Sequence, residues 1–171
     1  MNSNTIIELL KVGERINLEC KKAESNLPNS VWETYSAFAN TCGGTILLGI
    51  EEHMSETNIQ KRFSFTDVKN PEVRLKEFWD TINSNKVSAN ILLDDNVGYC
   101  DISGHTVLWI EVPQADYRHK PVYINENPIK GSFKRNHEGD YHCTEEEVKA
   151  MLRDSSDSGI DGGLLDGFTM E

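Results

Sequence analysis

The stretch from Ser36 to Glu52, SAFANTCGGTILLGIEE, decides how the chain is read. Its first half continues a helical pattern: Val31, Tyr35, Phe38 and Ala39 recur at i, i+4, i+7 and i+8, one apolar face. Ser30 and Glu33 stand at capping-box spacing at the start of that helix. Gly43-Gly44 stops it, as a left-handed C-terminal cap does. TILLGI then reads as a short buried strand, ending in two carboxylates, Glu51 and Glu52. The glycines therefore follow a helix and precede a strand. A phosphate-cradling loop needs the opposite order and a following lysine, so no nucleotide site is read here.

Working outward, residues 4 to 10 predict a short helix. INLECKK alternates, with Ile16, Leu18 and Cys20 on one side and Asn17, Glu19 and Lys21 on the other, a half-buried strand. Residues 53 to 70 read as a loop with a short pairing strand. Pro71 opens a helix after Asn70, with Leu75, Phe78, Trp79 and Ile82 as its buried stripe. VGYCDIS and HTVLWIEV flank Ser103-Gly104, a hairpin signature. KPVYI and KGSFKR read as further short strands, and Thr144 with Glu147 caps a last helix, TEEEVKAMLRD. The expectation is one α/β (α+β) domain over residues 1–153, a mixed sheet flanked by helices. Residues 154–171, rich in Ser, Gly and Asp, are expected to be an acidic linker leading to a further C-terminal region.

The 171 residues suffice for one core, and no apolar run has the length of a membrane span. A cytoplasmic protein is expected. Four scattered cysteines without a CxxC pair favour reduced thiols over disulfides or a zinc ribbon, and Cys42 is expected to be a small buried thiol. His137, His142 and Cys143 lack zinc-site spacing and are read as surface and packing residues. The net charge of −11 is uneven: residues 138–171 hold ten acids and two bases, leaving eighteen acids and fifteen bases for the body. The body is close to neutral, and no basic footprint of a nucleic-acid binder is visible from composition.

Glu14, Glu19 and Glu51 (or Glu52) could converge if the two strands are neighbours. Three carboxylates suit Mg²⁺ or Mn²⁺, and Lys21 shares a face with Glu19. The alternative is a set of solvated strand-end charges paired with Arg15, Lys21 and Lys22. Lys61, Arg62, Lys130, Lys134 and Arg135 form either a phosphate-binding face with Phe133 and Tyr123 or ordinary surface charge.

The order GERINLECKKA, NLPNSVWETYSAFANTCGGTILLGIEE, TVLWIEVPQA, KPVYI, GSFKRN and TEEEVKAML resembles the Schlafen AlbA-type domain, also called divergent AAA-4, over roughly residues 5 to 153. The resemblance implies a DNA-binding module of a bacterial transcriptional regulator, with Lys21, Lys22, Lys134 and Arg135 toward nucleic acid. It alternatively implies a metal-dependent endoribonuclease acting on structured RNA, as in animal Schlafens. Glu14, Glu19 and Lys21 match that enzyme's E-x4-E-x-K spacing, and Glu51 stands for its third acid with Mg²⁺ or Mn²⁺ as cofactor. Cys42 departs from the acid common before the double glycine, and the third acid is a glutamate rather than an aspartate. One lobe would have to form a homodimer to make an equivalent groove. A protein-interaction domain is the third reading, which the acidity suits.

Overall fold

The computed structural model describes residues 1–13, 15–58 and 60–166, the side chains of 157–166 excepted. Five helices and eight short strands follow one another: α1 (Ser3–Val12), β1 (Leu18–Lys21), α2 (Ser30–Asn40), β2 (Gly44–Leu48), β3 (Ile50–Glu52), β4 (Phe63–Phe65), α3 (Pro71–Ile82), β5 (Val97–Ile102), β6 (His105–Val112), α4 (Pro128–Gly131), β7 (Phe133–Asn136), β8 (Gly139–His142) and α5 (Glu145–Asp166). The main sheet has the order β1-β2-β6-β5, with β1 and β2 parallel and the other pairs antiparallel. This is the expected α+β class with a mixed sheet. β3-β4 and β7-β8 are separate two-stranded ribbons.

Two apolar clusters sandwich the sheet. On one face α2 and α3 pack through Val31, Tyr35, Phe38 and Phe78 against Ile46, Leu48, Leu108 and Ile110. On the other, Ile6 of α1 meets Leu18, Cys20, Leu47, Val107 and Trp109. Strand alternation produces this division, since neighbouring residues of β2 (Ile46, Leu47, Leu48) enter opposite clusters. Burial of such side chains is worth roughly 1.5–3 kcal/mol each and is the main stabilising term.

Local outcomes differ from expectation in instructive places. Gly43 does cap α2: its φ is +70° and its N–H donates to Phe38 O at 2.7 Å. The Ser30–Glu33 capping box is not formed. The carbonyls of Pro28 and Asn29 accept the Val31 and Trp32 N–H groups instead. TILLGI is not one strand, because Gly49 (φ +98°) breaks it into β2 and β3. A Cβ there would lie 2.8 Å from Thr106 O, so only glycine fits the bend. KPVYI forms only the isolated bridges Val87↔Ile124 and Tyr123↔Ser132. The box at Thr144 is formed, with Thr144 N–H donating to Glu147 at 2.7 Å and Glu147 N–H to Thr144 Oγ1 at 3.1 Å. From that cap α5 continues to Asp166, so residues 154–166, read as linker, are helical. Ser155 Oγ fastens the helix to Arg118 O at 2.9 Å, beyond the expected end. Residues 167–171 lie outside the described residues. Among the described residues no helix is long and apolar enough to cross a membrane.

Candidate functional site

Of the acids and bases singled out from sequence, Glu19, Lys21, Glu52, Arg15 and Arg135 gather around β1 at the edge of the main sheet. β1 and β2 are neighbours, as the convergence of Glu19 with Glu51 requires, and Glu19 stands in register with Ile46. The bend at Gly49 decides what happens next. Gly49 N–H still donates to Lys21 O, while its carbonyl accepts from Thr66 and Asp67 as the chain turns into the β3-β4 ribbon. Glu51 and Glu52 alternate on that ribbon, and it is Glu52 that comes back toward the start of β1. Its Oε2 accepts from Arg15 Nε at 2.6 Å, with Arg62 Nε at 3.9 Å. Arg15 Nη1 also donates to Glu138 Oε2 at 2.9 Å. That bond raises the Arg15 pKa and holds the Glu138 carboxyl below its ordinary value. Glu51 is placed opposite Ser64, and its carboxylate makes no hydrogen bond or ion pair among the described residues.

A second set of charges centres on Arg135. Its side chain is 1% exposed, and its guanidinium donates to Glu19 Oε1 and Asp140 Oδ1, both at 2.8 Å. It also donates to Ile16 O at 3.0 Å, Arg15 O at 2.6 Å and Leu18 O at 3.0 Å, and lies 4.9 Å from the centre of the Phe38 ring. Burial lowers the pKa of this arginine, but the bonds to Asp140 and Glu19 outweigh it and leave it above the usual value. The planar fork of an arginine suits this many acceptors, and a lysine's point charge does not. β7-β8 supplies the geometry, with Arg135 and Asp140 directly opposite in register. Asp140 is fixed further by Thr34 Oγ1 at 2.5 Å.

Arg135 is therefore not a surface phosphate ligand. It joins β1, β7 and β8 and covers the carbonyl edge of β1. Lys134, on the opposite side of β7, donates to both oxygens of Glu147 at 2.9 and 3.1 Å. Lys21 stands 3.9 Å from Glu19 Oε2, a loose pair. Lys22 is exposed and has no partner among the described residues. Phe133, expected on a phosphate-binding face, is buried in the core. Cys42, expected to be buried, is exposed, because the turn after α2 carries it outward while Gly43 packs beneath Val112 and Pro113. His137 and His142 are exposed and Cys143 is buried.

The carboxylates do not compose a metal site among the described residues, where no three His, Cys, Asp or Glu side chains come together to hold an ion. Glu19 and Glu52 are bonded to guanidinium groups, and Glu14 lies outside the described residues. Among the described residues the donor set does not fit Mg²⁺ or Mn²⁺, and no step is assigned to a metal. Arg15 pairs with a strand-end acid as the alternative reading of the carboxylates expects, whereas sequence reasoning missed Glu138 and Asp140. The RNHEGD turn, with opposite charges flanking it, was the available signal for the last.

Similarity to known proteins is consistent with this fold. Over 83% of its length the chain superposes, with a TM-score of 0.59 and 25% identity, on 92% of the N-terminal domain of an ATP-dependent DNA helicase RecG-related protein from Nitrosomonas europaea. The DIP2311 protein from Corynebacterium diphtheriae shares the fold at a TM-score of 0.55 and 13% identity; 88% of this chain is covered, which spans only 28% of that one. Among curated proteins none matches significantly. The family model for Schlafen, AlbA_2 matches residues 14–144, which takes in β1, the Gly43-Gly44 junction and the β7-β8 ribbon. The chain belongs to the Schlafen AlbA_2 family.

Proposed function

We propose that this domain is a nucleic-acid-binding module, of the kind found in transcriptional regulators, that contacts the phosphate backbone at the C-terminal end of β1. The observation that carries the reading is the likeness, at 25% identity, to the N-terminal domain of a DNA helicase-related protein, together with membership of the AlbA_2 family. Charge placement supports it. The acids near β1 are already neutralised by Arg15 and Arg135, which leaves Lys21 weakly held and Lys22 unpartnered among the described residues. These two lysines are the phosphate contacts, Lys134 adds a third once released from Glu147, and Arg135 positions the strand that bears them.

The test is binding of fluorescently labelled duplex DNA and hairpin RNA at low salt, followed by anisotropy. The double variant Lys21→Ala/Lys22→Ala is expected to bind at least about tenfold more weakly, uniformly across sequences. Equal affinity of variant and parent for both nucleic acids would overturn the assignment.

A further inference from the structure

The two edges of the main sheet are treated differently. At β1, Arg135 occupies the carbonyls of Arg15, Ile16 and Leu18. At the other edge, β5 has no comparable cover. The hairpin turn Ser103-Gly104 has φ values of +52° and +85°, a two-residue turn of the mirror-image type, so Ile102 and His105 close it as a hydrogen-bonded pair. Bonded and non-bonded pairs alternate from there. Gly98, Cys100 and Ile102 thus direct their backbone groups to β6, and Val97, Tyr99 and Asp101 direct theirs outward. The same alternation continued across the sheet leaves Thr106 N–H facing away from β5, where it donates to Asp67 Oδ1 at 2.8 Å. It also explains why Thr45 and Gly49 donate toward Asn17 and Lys21 of the β1 segment.

No hydrogen bond reaches the outward N–H or C=O of Tyr99 or Asp101 or the Val97 C=O among the described residues, while the Val97 N–H donates to Asp94 O. Tyr99 is 39% exposed and Asp101 is exposed, so among the described residues both stand open to solvent. The strand carries no proline or lysine, the usual protections of an open edge. Exposed apolar groups lie alongside: Leu93 at 74% just before the strand, and Val73 at 54% next to Glu72, which accepts from the Tyr99 hydroxyl.

We infer that β5 pairs antiparallel with β5 of a second copy of this chain, joining two four-stranded sheets into one across a two-fold axis. A continuous two-fold sheet requires each residue to face one on the same side, so the pairing must centre on a residue rather than between two. Centring on Tyr99 pairs both backbone groups of Tyr99 and sets the Asp101 N–H against the Val97 carbonyl. Tyr99 faces Tyr99 of the second copy, each Val97 faces an Asp101, and each Gly98 faces a Cys100. No charge stands directly opposite a like charge, and the central pair is aromatic, which favours pairing. Self-complementarity of this strand selects a second copy over a foreign strand. The inference does not rest on the nucleic-acid reading.

The experiment is light scattering on the purified chain over a concentration series, with amide hydrogen exchange read at single residues. The expected result is a species of twice the 19.3 kDa chain mass, with exchange at Tyr99 and Asp101 slowing as concentration rises. Tyr99→Pro removes an outward N–H and leaves the β5-β6 bonds in place, so it should give a folded monomer. Tyr99→Lys, which sets two lysines face to face on the axis, should do the same should the proline variant not fold. A parent chain that stays monomeric at all concentrations overturns the inference. So does a dimer that survives both substitutions, or fast exchange at the Tyr99 and Asp101 amides within a dimer.

Discussion

Replacing Arg135 by alanine tests the structural role of the charge network directly. The substitution removes a guanidinium that serves two carboxylates and three backbone carbonyls. The carboxylates are not equally affected. Glu19 is 26% and Asp140 14% exposed in their side chains, so water recovers part of the lost interaction, more for Glu19. The Leu18 carbonyl is bonded in a buried setting, and leaving it unpaired costs about 1–3 kcal/mol. Stranding a partly buried carboxylate beside it brings the total to about 3–5 kcal/mol, the range for removing one partner of a buried ion pair. For a chain of this size, that corresponds to a fall in melting temperature of roughly 6–20 °C. Urea unfolding followed by circular dichroism measures it. Arg135→Lys keeps the charge but not the fork, and should recover less than half of the loss. Both variants unfolding within about 1 kcal/mol of the parent would refute the reasoning.

Further outcomes follow from other contacts. Gly49→Ala should destabilise by at least about 1 kcal/mol, since the residue has φ +98° and an added Cβ meets Thr106 O at 2.8 Å; equilibrium unfolding checks this. Stability should decline in acid. The Asp67 carboxyl is held below its ordinary value by Thr106 N–H and His105, Glu138 by Arg15, and Glu147 by Thr144 N–H and Lys134. A carboxyl lowered in the folded state contributes fully above its unfolded pKa and loses that contribution as pH falls through the folded one. The urea midpoint should therefore hold from pH 7 to about 5 and drop below about 4, with Asp67→Asn showing a shallower drop. At the alkaline end, burial pushes the Tyr35 hydroxyl up to about 12, so its contribution is complete below its ordinary value of 10.0 and is lost as pH rises through 12. Native thiol titration should label Cys42 first, and Cys20 and Cys143 only after unfolding.

The main lines of the fold were legible because periodicity and glycine placement report local backbone directly. Phe38 and Tyr35 announced the buried face of α2, and Gly43 announced its end. The hairpin at Ser103-Gly104 followed from alternation on both sides of a two-residue turn. Less legible were features set by other parts of the chain. Gly49 looks like an ordinary strand residue until the close approach of Thr106 O is known. Ser30 and Glu33 have the spacing of a capping box, but the carbonyls of Pro28 and Asn29 reached the first N–H groups before their side chains did. The candidate site was half legible. The condition that β1 and β2 be neighbours is met, which leaves Glu19 and Lys21 at one edge. The competition for those carboxylates came from Arg135, more than a hundred residues downstream, and nothing in the local pattern of GSFKRN separates a buried arginine from an exposed one. The residue type did carry a hint, because an arginine is the cation best able to satisfy several acceptors inside a protein.

The most direct measurement of the central claim is the salt dependence of nucleic-acid binding. Affinity for a labelled duplex is measured from 50 to 300 mM monovalent salt for the parent chain and for Lys21→Ala/Lys22→Ala. Phosphate contacts predict a linear fall of log affinity with log salt, and a slope shallower by about two in the double variant, one for each lysine removed. A parent affinity that does not vary with salt, or identical slopes for the two proteins, would contradict the account.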